Sequence, residues 1–351
     1  RSTRALSSAA SDVYKRQVNK NKSNYYSEMR IYMDTITIKV DPSGKGDFTT
    51  INDALDSVEA VNDNIPVRIE LAPGEYYERL EIIRPHVTLV GEDPDTTCIT
   101  HSLYALMLME DGTKRGTFRS YSVFVDANDF TAENITFENA SGDGRDVGQA
   151  LAIYSEGDMV KYINCCFLGC QDTIFTGPLP PKELKPGGFI GPKQFAPRVN
   201  GRQYYKDCFI RGDVDFIFGS ATAYFENCEI FSNNRGEEIN GYVTAPSTPE
   251  GQEYGYVFEG CHFTSNCPAN SVYLGRPWRN YAKAVFLNCE MDAHIRHEGF
   301  HDWNKEVTHE TAYWAEYNST GEGAKGERAP WVHKLTDEEA AHYSRMNVLG
   351  F

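Results

Sequence analysis

The chain has 351 residues, 24% of them charged and 13% aromatic, and a formal net charge of −16. That mix belongs to a folded protein rather than a disordered one. The acidity argues against a basic phosphate-binding face, and so against a nucleic-acid partner, and it leaves an anionic polysaccharide to be held by local contacts or with its charge masked. No apolar run approaches the ~18 residues of a membrane helix, so no membrane partner is expected.

Residues 1–33 are polar and hold no apolar stretch long enough for a secretory signal. The run from Ser7 to Gln17 reads as translated sequencing adapter. These residues are therefore expected to be an unstructured or non-native leader, with the natural start at Met29 or Met33. On this reading the protein is cytoplasmic if that start is native and secreted if it is truncated. Residues 34–351 are expected to form a single domain, because all-β domains often exceed the usual ~150 residues per domain.

The first predicted element is a short helix. Ile51, Ala54, Leu55 and Val58 fall at helical spacing, and Thr50 stands as its N-cap. Next, Gly74-Glu75-Tyr76-Tyr77-Glu78 reads as a tight turn into a strand, with Glu78 making a structural hydrogen bond.

A repeat then dominates the chain. Tyr162-Ile163-Asn164-Cys165-Cys166-Phe167 shares its pattern with Tyr205-Lys206-Asp207-Cys208-Phe209-Ile210 and Phe225-Glu226-Asn227-Cys228-Glu229-Ile230. Phe258-Glu259-Gly260-Cys261-His262-Phe263 and Phe286-Leu287-Asn288-Cys289-Glu290-Met291 continue it, and an earlier copy has Ile135 in the cysteine slot. Successive slots are 30, 43, 20, 33 and 28 residues apart. Period-two alternation marks strands, and a unit recurring with variable insertions marks a stacked solenoid. Short strands between Gly, Asn and Asp turns fit a parallel β-helix. The nine cysteines are an odd number without zinc-site spacing; most are expected to be reduced and buried as small core residues.

Residues 176–201 are rich in Pro and Gly and carry Lys182, Lys185, Lys193 and Arg198. They read as a long surface loop, either a passive excursion or a wall of a substrate groove. Near the end, Thr336-Asp337-Glu338-Glu339 is a capping-box pattern opening a helix to about Ser344.

The chemistry rests on three segments. Asp172 follows Gln171, Asp215 opens the apolar run Phe216-Ile217-Phe218, and Leu274-Gly275-Arg276-Pro277-Trp278 offers a cation and an indole. Gln149 and Asp172 are 23 residues apart, about one coil; Asp172 and Asp215 are 43 apart, with the loop taking up more than 20. Gln149, Asp172 and Asp215 are therefore expected on three successive coils and one outer face, with the carboxylates roughly 5–6 Å apart at strand spacing. Like charges so close raise one pKa, and a neutral acid beside an ionised one divides into proton donor and nucleophile. Arg276, on reaching Asp215, would keep it ionised, leaving Asp172 protonated. Gln149 and Gln171 would offer neutral N–H donors to a developing oxyanion. This combination favours ester hydrolysis through an anhydride-like acyl-enzyme. Asp213, two residues before Asp215, is expected to share its face.

These segments resemble the pectin methylesterases, a carbohydrate esterase family folded as a right-handed parallel β-helix. The resemblance is carried by Gly74-Glu75-Tyr76-Tyr77-Glu78, Gln149-Ala150-Leu151-Ala152-Ile153, Gln171-Asp172-Thr173-Ile174-Phe175, Asp215-Phe216-Ile217-Phe218-Gly219 and Leu274-Gly275-Arg276-Pro277-Trp278, in the family's order across about residues 35–351. It implies hydrolysis of galacturonate methyl esters with release of methanol. Asp215 would be the nucleophile, Asp172 the acid/base and Gln149 and Gln171 the oxyanion hole. Arg276 would bind Asp215, Trp278 would stack on a sugar ring, and Phe175 and Phe218 would line the groove. It also implies an all-β fold with short capping helices at the ends and no metal or organic cofactor. The expected partner is methyl-esterified homogalacturonan or its oligomers, acted on by a monomer. Ile153 and Ile174 stand where the family often has Leu, and Asp213 where plant members often carry a hydroxyl. The competing readings are a retaining glycosidase, which two close carboxylates also fit, a calcium-dependent lyase, a non-catalytic polysaccharide-binding β-helix, and an esterase of this fold for another ester.

Overall fold

The aromatic-to-cysteine repeat makes a corner rather than one long strand. In the computed structural model, which describes residues 35–351, the aromatic residues lie in one sheet, the polar pair turns the chain, and the apolar residues after the cysteine open a second sheet. The polar residue before each slot sits in the left-handed region: φ is 56° at Asn134, 49° at Asn164, 53° at Asp207 and Asn227, 62° at Gly260 and 52° at Asn288. Asn, Asp and Gly tolerate that conformation best, which is why the repeat has these residues there. Side-chain amides stack up the corner, Asn164 Nδ2 donating to Asn134 Oδ1 at 2.9 Å. The leader expected over residues 1–33 lies outside the described residues.

Each full coil contributes three strands, one to each of three parallel sheets of eleven, eight and seven strands. The coil at Val160–Ile163, Cys166–Leu168 and Ile174–Thr176 is followed by one at Arg202–Lys206, Phe209–Gly212 and Val214–Gly219. This is the right-handed parallel β-helix. Register pairs Tyr162 with Tyr205, Tyr205 with Phe225, Phe225 with Phe258, and Phe258 with Phe286. Their rings stack as an internal ladder with centroids 4.9, 4.6, 4.5 and 4.9 Å apart. Burial of each such ring contributes roughly 1.5–3 kcal/mol, and stacking about 0.5–1.5 kcal/mol more.

Cys165, Cys208, Cys228, Cys261 and Cys289 form the neighbouring ladder, all buried and unpaired. Each thiol donates to a backbone carbonyl of the preceding coil, as Cys208 does to Tyr162 at 3.4 Å and Cys261 to Phe225 at 3.4 Å. Burial pushes these thiols up, Cys289 to about 12, so they carry almost no reactive thiolate at neutral pH. A thiol reagent is therefore expected to leave these five unlabelled in the native protein and to reach all nine after denaturation. Rapid native labelling of all nine would contradict the ladder.

Helix Ile51–Ser57 packs at the start of the solenoid and is capped twice. Thr50 Oγ1 accepts from Asp53 N at 3.1 Å, and the Glu78 carboxylate accepts from Ile51 N at 2.8 Å and Asn52 N at 3.0 Å. Glu78 is thus structural, an anion at a helix N-terminus. At the other end the capping box of Thr336 and Glu339 opens helix Asp337–Ala341. The helix ends before Ser344, which instead caps a second one, Arg345–Leu349. The second helix lays Val348 and Leu349 against Tyr204 and Tyr224 on the outer side of the first sheet.

Candidate active site

The third sheet carries the site. Ile153 pairs with Ile174, and Ile174 with Ile217. Asp172 and Asp215 each precede their isoleucine by two residues, so they occupy equivalent places on neighbouring coils, one strand spacing (~4.8 Å) apart in the backbone. Asp172 N–H donates to Val214 O at 3.0 Å and Ala150 N–H to Gln171 O at 3.1 Å, which brings the Gln149 segment alongside. Both aspartates are left-handed, with φ of 64° at Asp172 and 52° at Asp215. The asparagine corner shows that this conformation is used structurally elsewhere in the same coils. At Asp172 it falls just before strand Ile174–Thr176, and at Asp215 at the second residue of strand Val214–Gly219.

The Asp215 strand also carries a bulge. Val214 pairs with Tyr242 but Ile217 with Thr244, so three steps on one strand match two on the other. This breaks the alternation that placed Asp213 on the same face as Asp215. Asp213 is instead buried away from the cleft, its Oδ1 accepting from Val214 N–H at 2.8 Å. Burial pushes its carboxyl to about 6.

Gln149, Gln171, Asp172, Asp215, Arg276 and Trp278 line one cleft of about 400 Å³, together with Phe218. Arg276 grips Asp215 with both ends of its fork, Nε to Oδ1 at 2.7 Å and Nη2 to Oδ2 at 2.8 Å. The guanidinium carbon lies 3.8 Å from the ring centroids of both Tyr242 and Trp303, so the cation is clamped between two aromatic faces. Gly144 lets helix Gly144–Val147 press on Gln171: a Cβ there would come within 2.7 Å of the Gln171 Cβ and 2.8 Å of Oε1. That contact limits the rotamers open to the amide.

Both aspartates are 8% exposed as whole residues. Burial, then the neighbouring Asp215 charge, pushes Asp172 well above the usual carboxylate range, with Arg276 opposing. Burial also raises Asp215, but Arg276 pulls it back both by its charge and by hydrogen bonds. The bidentate geometry is that of an ionised carboxylate. The site therefore holds a carboxylate gripped by arginine and, on the next coil, an acid driven towards its neutral form.

Phe175 departs from expectation. It is 0% exposed and does not line the cleft. Its ring packs against Phe118, Tyr154 and Phe218 at 4.9, 4.7 and 4.9 Å, forming the floor on which Phe218 and Trp278 rest. Phe118, Phe189, Arg279 and Trp303 also line the cleft and were not anticipated. Phe118 comes from a short 3-10 turn, Thr117–Arg119, and the other three from loops, where no spacing links them to the coils. A tryptophan at 303 among polar neighbours was the one available signal.

The loop at 176–201 is a wall of this cleft, contributing Leu184, Lys185, Gly188 and Phe189.

A family model for pectinesterases matches residues 37–178 and 198–350. Pectinesterase 31 of Arabidopsis thaliana is 37% identical over 317 residues, which span 88% of this chain and 90% of that protein. A crystal structure of a pectin methylesterase in complex with a hexasaccharide matches with a TM-score of 0.73 at 31% identity, covering 90% of this chain and 97% of the other. The pectin methylesterase PemA from Erwinia chrysanthemi matches with a TM-score of 0.71 at 30% identity, over 90% and 97% of the two chains.

Proposed function

The chain belongs to the pectinesterase family, and on that premise we propose how its residues divide the work of hydrolysing the methyl esters of pectin. Asp215 attacks the ester carbonyl carbon, and the electrons displaced onto oxygen are held by the side-chain amides of Gln149 and Gln171. Collapse of the tetrahedral intermediate breaks the bond to methoxide, which takes the Asp172 proton and leaves as methanol. The result is a mixed anhydride on Asp215. Asp172, now ionised, takes a proton from water. The hydroxide opens the anhydride, releasing the galacturonic acid, which gives its proton to solvent, and returning both aspartates to their starting states.

The observation that carries this reading is the unequal pair: Asp215 held by both arms of Arg276, and Asp172 beside it raised by burial. Arg276 orients the nucleophile, Trp278 and Phe218 present aromatic surface to the sugar, and Phe175 supports them from beneath. No step uses a metal or organic cofactor. We take residues 34–351 to act as one catalytic domain, as a monomer, on methyl-esterified homogalacturonan or its oligomers. Incubation with methyl-esterified pectin is expected to release methanol with the polymer's chain length unchanged and without sensitivity to chelator. Chain shortening would favour the glycosidase reading, and unsaturated, chelator-sensitive products the lyase.

A further inference from the structure

The family match stops at residue 178 and resumes at 198, and the segment it omits builds one wall of the cleft. Phe189 of this loop stands edge-on to Trp278, with ring centroids 6.2 Å apart at 75°, and to Phe118 at 5.7 Å and 81°. A partly buried ionic contact ties the far end of the loop to the solenoid. Lys193 Nζ donates to both oxygens of Asp126 at 2.8 Å and lies 3.8 Å from Glu156 Oε1. Asp126 follows strand Val123–Val125, and Glu156 follows strand Ile153–Ser155 on the next coil, so one ammonium bridges two adjacent coils of the site-bearing sheet. The Glu156 side chain is almost fully buried and also accepts from Tyr154 OH at 3.0 Å. Burial pushes its carboxyl to about 7, against the pull of Lys193. The loop itself is knitted by Arg198, which donates to the carbonyls of Pro180, Lys193, Gln194 and Ala196. Arg198 therefore keeps the loop's shape, and Lys193 fixes that shape to the coils.

We propose that Lys193 is a positioning residue for substrate affinity: by clamping Asp126 and Glu156 it holds the 179–197 loop as a rigid wall that keeps Phe189 against Trp278. This rests on the cleft being the pectin-binding site. No part of the ionic contact lies among the cleft-lining side chains, so its loss acts through the wall alone. Binding energy taken equally from ground and transition states appears in KM rather than kcat.

The test is steady-state methanol release from methyl-esterified oligogalacturonides by the parent, Lys193→Met and Lys193→Arg, with chymotrypsin cleavage after Phe189 mapped by mass spectrometry. Lys193→Met is expected to raise KM about fivefold or more with kcat within about twofold, and to speed cleavage after Phe189 about tenfold or more. Lys193→Arg, which keeps the charge, should restore parental KM and protection. Should Lys193→Met fold poorly, Asp126→Asn removes only the better exposed half of the clamp and should shift KM and cleavage in the same direction by less. KM within twofold of the parent, or a fall in kcat at unchanged KM, overturns the proposal. A parent that releases no methanol overturns the functional reading instead, and unchanged cleavage after Phe189 then overturns the anchor separately.

Discussion

Replacement of Asp215 by alanine is expected to lower kcat/KM for methanol release by about 10⁴-fold or more, the scale on which covalent catalysis fails without its nucleophile. Alanine has a second consequence. Arg276 would remain between Tyr242 and Trp303 with no carboxylate to grip, and an uncompensated buried charge costs about 3–5 kcal/mol. Asp215→Asn is therefore the cleaner companion: it keeps the shape and the acceptor oxygen but is a far poorer nucleophile. The asparagine variant should still bind oligogalacturonide, because Trp278 and Phe218 are untouched, while releasing methanol no faster than the alanine variant. The measurement is methanol release alongside oligomer affinity by calorimetry. Turnover within tenfold of the parent would remove Asp215 from the nucleophile's role. Equal binding by a parent that never turns over would favour a polysaccharide-binding module.

Much of this architecture was legible because a solenoid shows the same environment to equivalent residues in every coil. The aromatic slots at 162, 205, 225, 258 and 286 and the cysteine slots three residues later fill one continuous ladder each, so similar residues recur at coil spacing. The paired aspartates were legible for a related reason: each precedes an apolar run on an adjacent coil, and coil spacing converts sequence distance into proximity. What escaped is what breaks that regularity. Strict alternation through position 214 puts Asp213 on the face of Asp215, and the bulge that reverses it leaves no mark in the local sequence. Phe175 and Phe218 hold paired positions in register, yet one lies wholly in the floor and the other lines the cleft, a difference set by what loops cover each ring. Trp303 and Phe118 reach the site from chain that belongs to no strand, so no periodicity announces them.

The acidity of the whole chain looked like a barrier to a polyanionic substrate, and the cleft resolves it locally. Arg276 is neutralised by Asp215, but Arg279 and Lys185 also line the cleft and form no ion pair among the described residues. Arg279 instead donates to the carbonyls of Trp278 and Lys182 at 2.9 and 3.0 Å and lies over the Trp278 ring. With a net charge of −16 on the chain, these two cations are expected to favour an anionic chain at the cleft over the rest of the surface. Their attraction should weaken as salt is raised, since exposed charges are screened within about 8–10 Å at 0.10–0.15 M.

Asp172→Asn separates the chemical and physical consequences of the same burial. As the proton donor to methoxide, Asp172 is expected to account for about 10²–10⁴-fold in kcat, and asparagine supplies no transferable proton. Its stability effect has the opposite sign. The folded-state pKa of Asp172 is raised, so between its unfolded value of about 3.9 and its folded value the native protein binds the extra proton. Stability contributed by this group is then fully present below pH ~3.9 and is lost as pH rises through the folded pKa. Asparagine carries no charge at any pH and avoids that loss. The variant should match the parent's Tm near pH 4 and exceed it increasingly towards neutral and alkaline pH. It should also lose the alkaline fall in kcat that deprotonation of Asp172 is expected to impose on the parent. Thermal unfolding and kcat measured across the same pH series test both halves together. A variant that keeps kcat within tenfold, or whose Tm falls below the parent's as pH rises, would show that the buried acid on this coil is neither neutral at rest nor the source of methanol's proton.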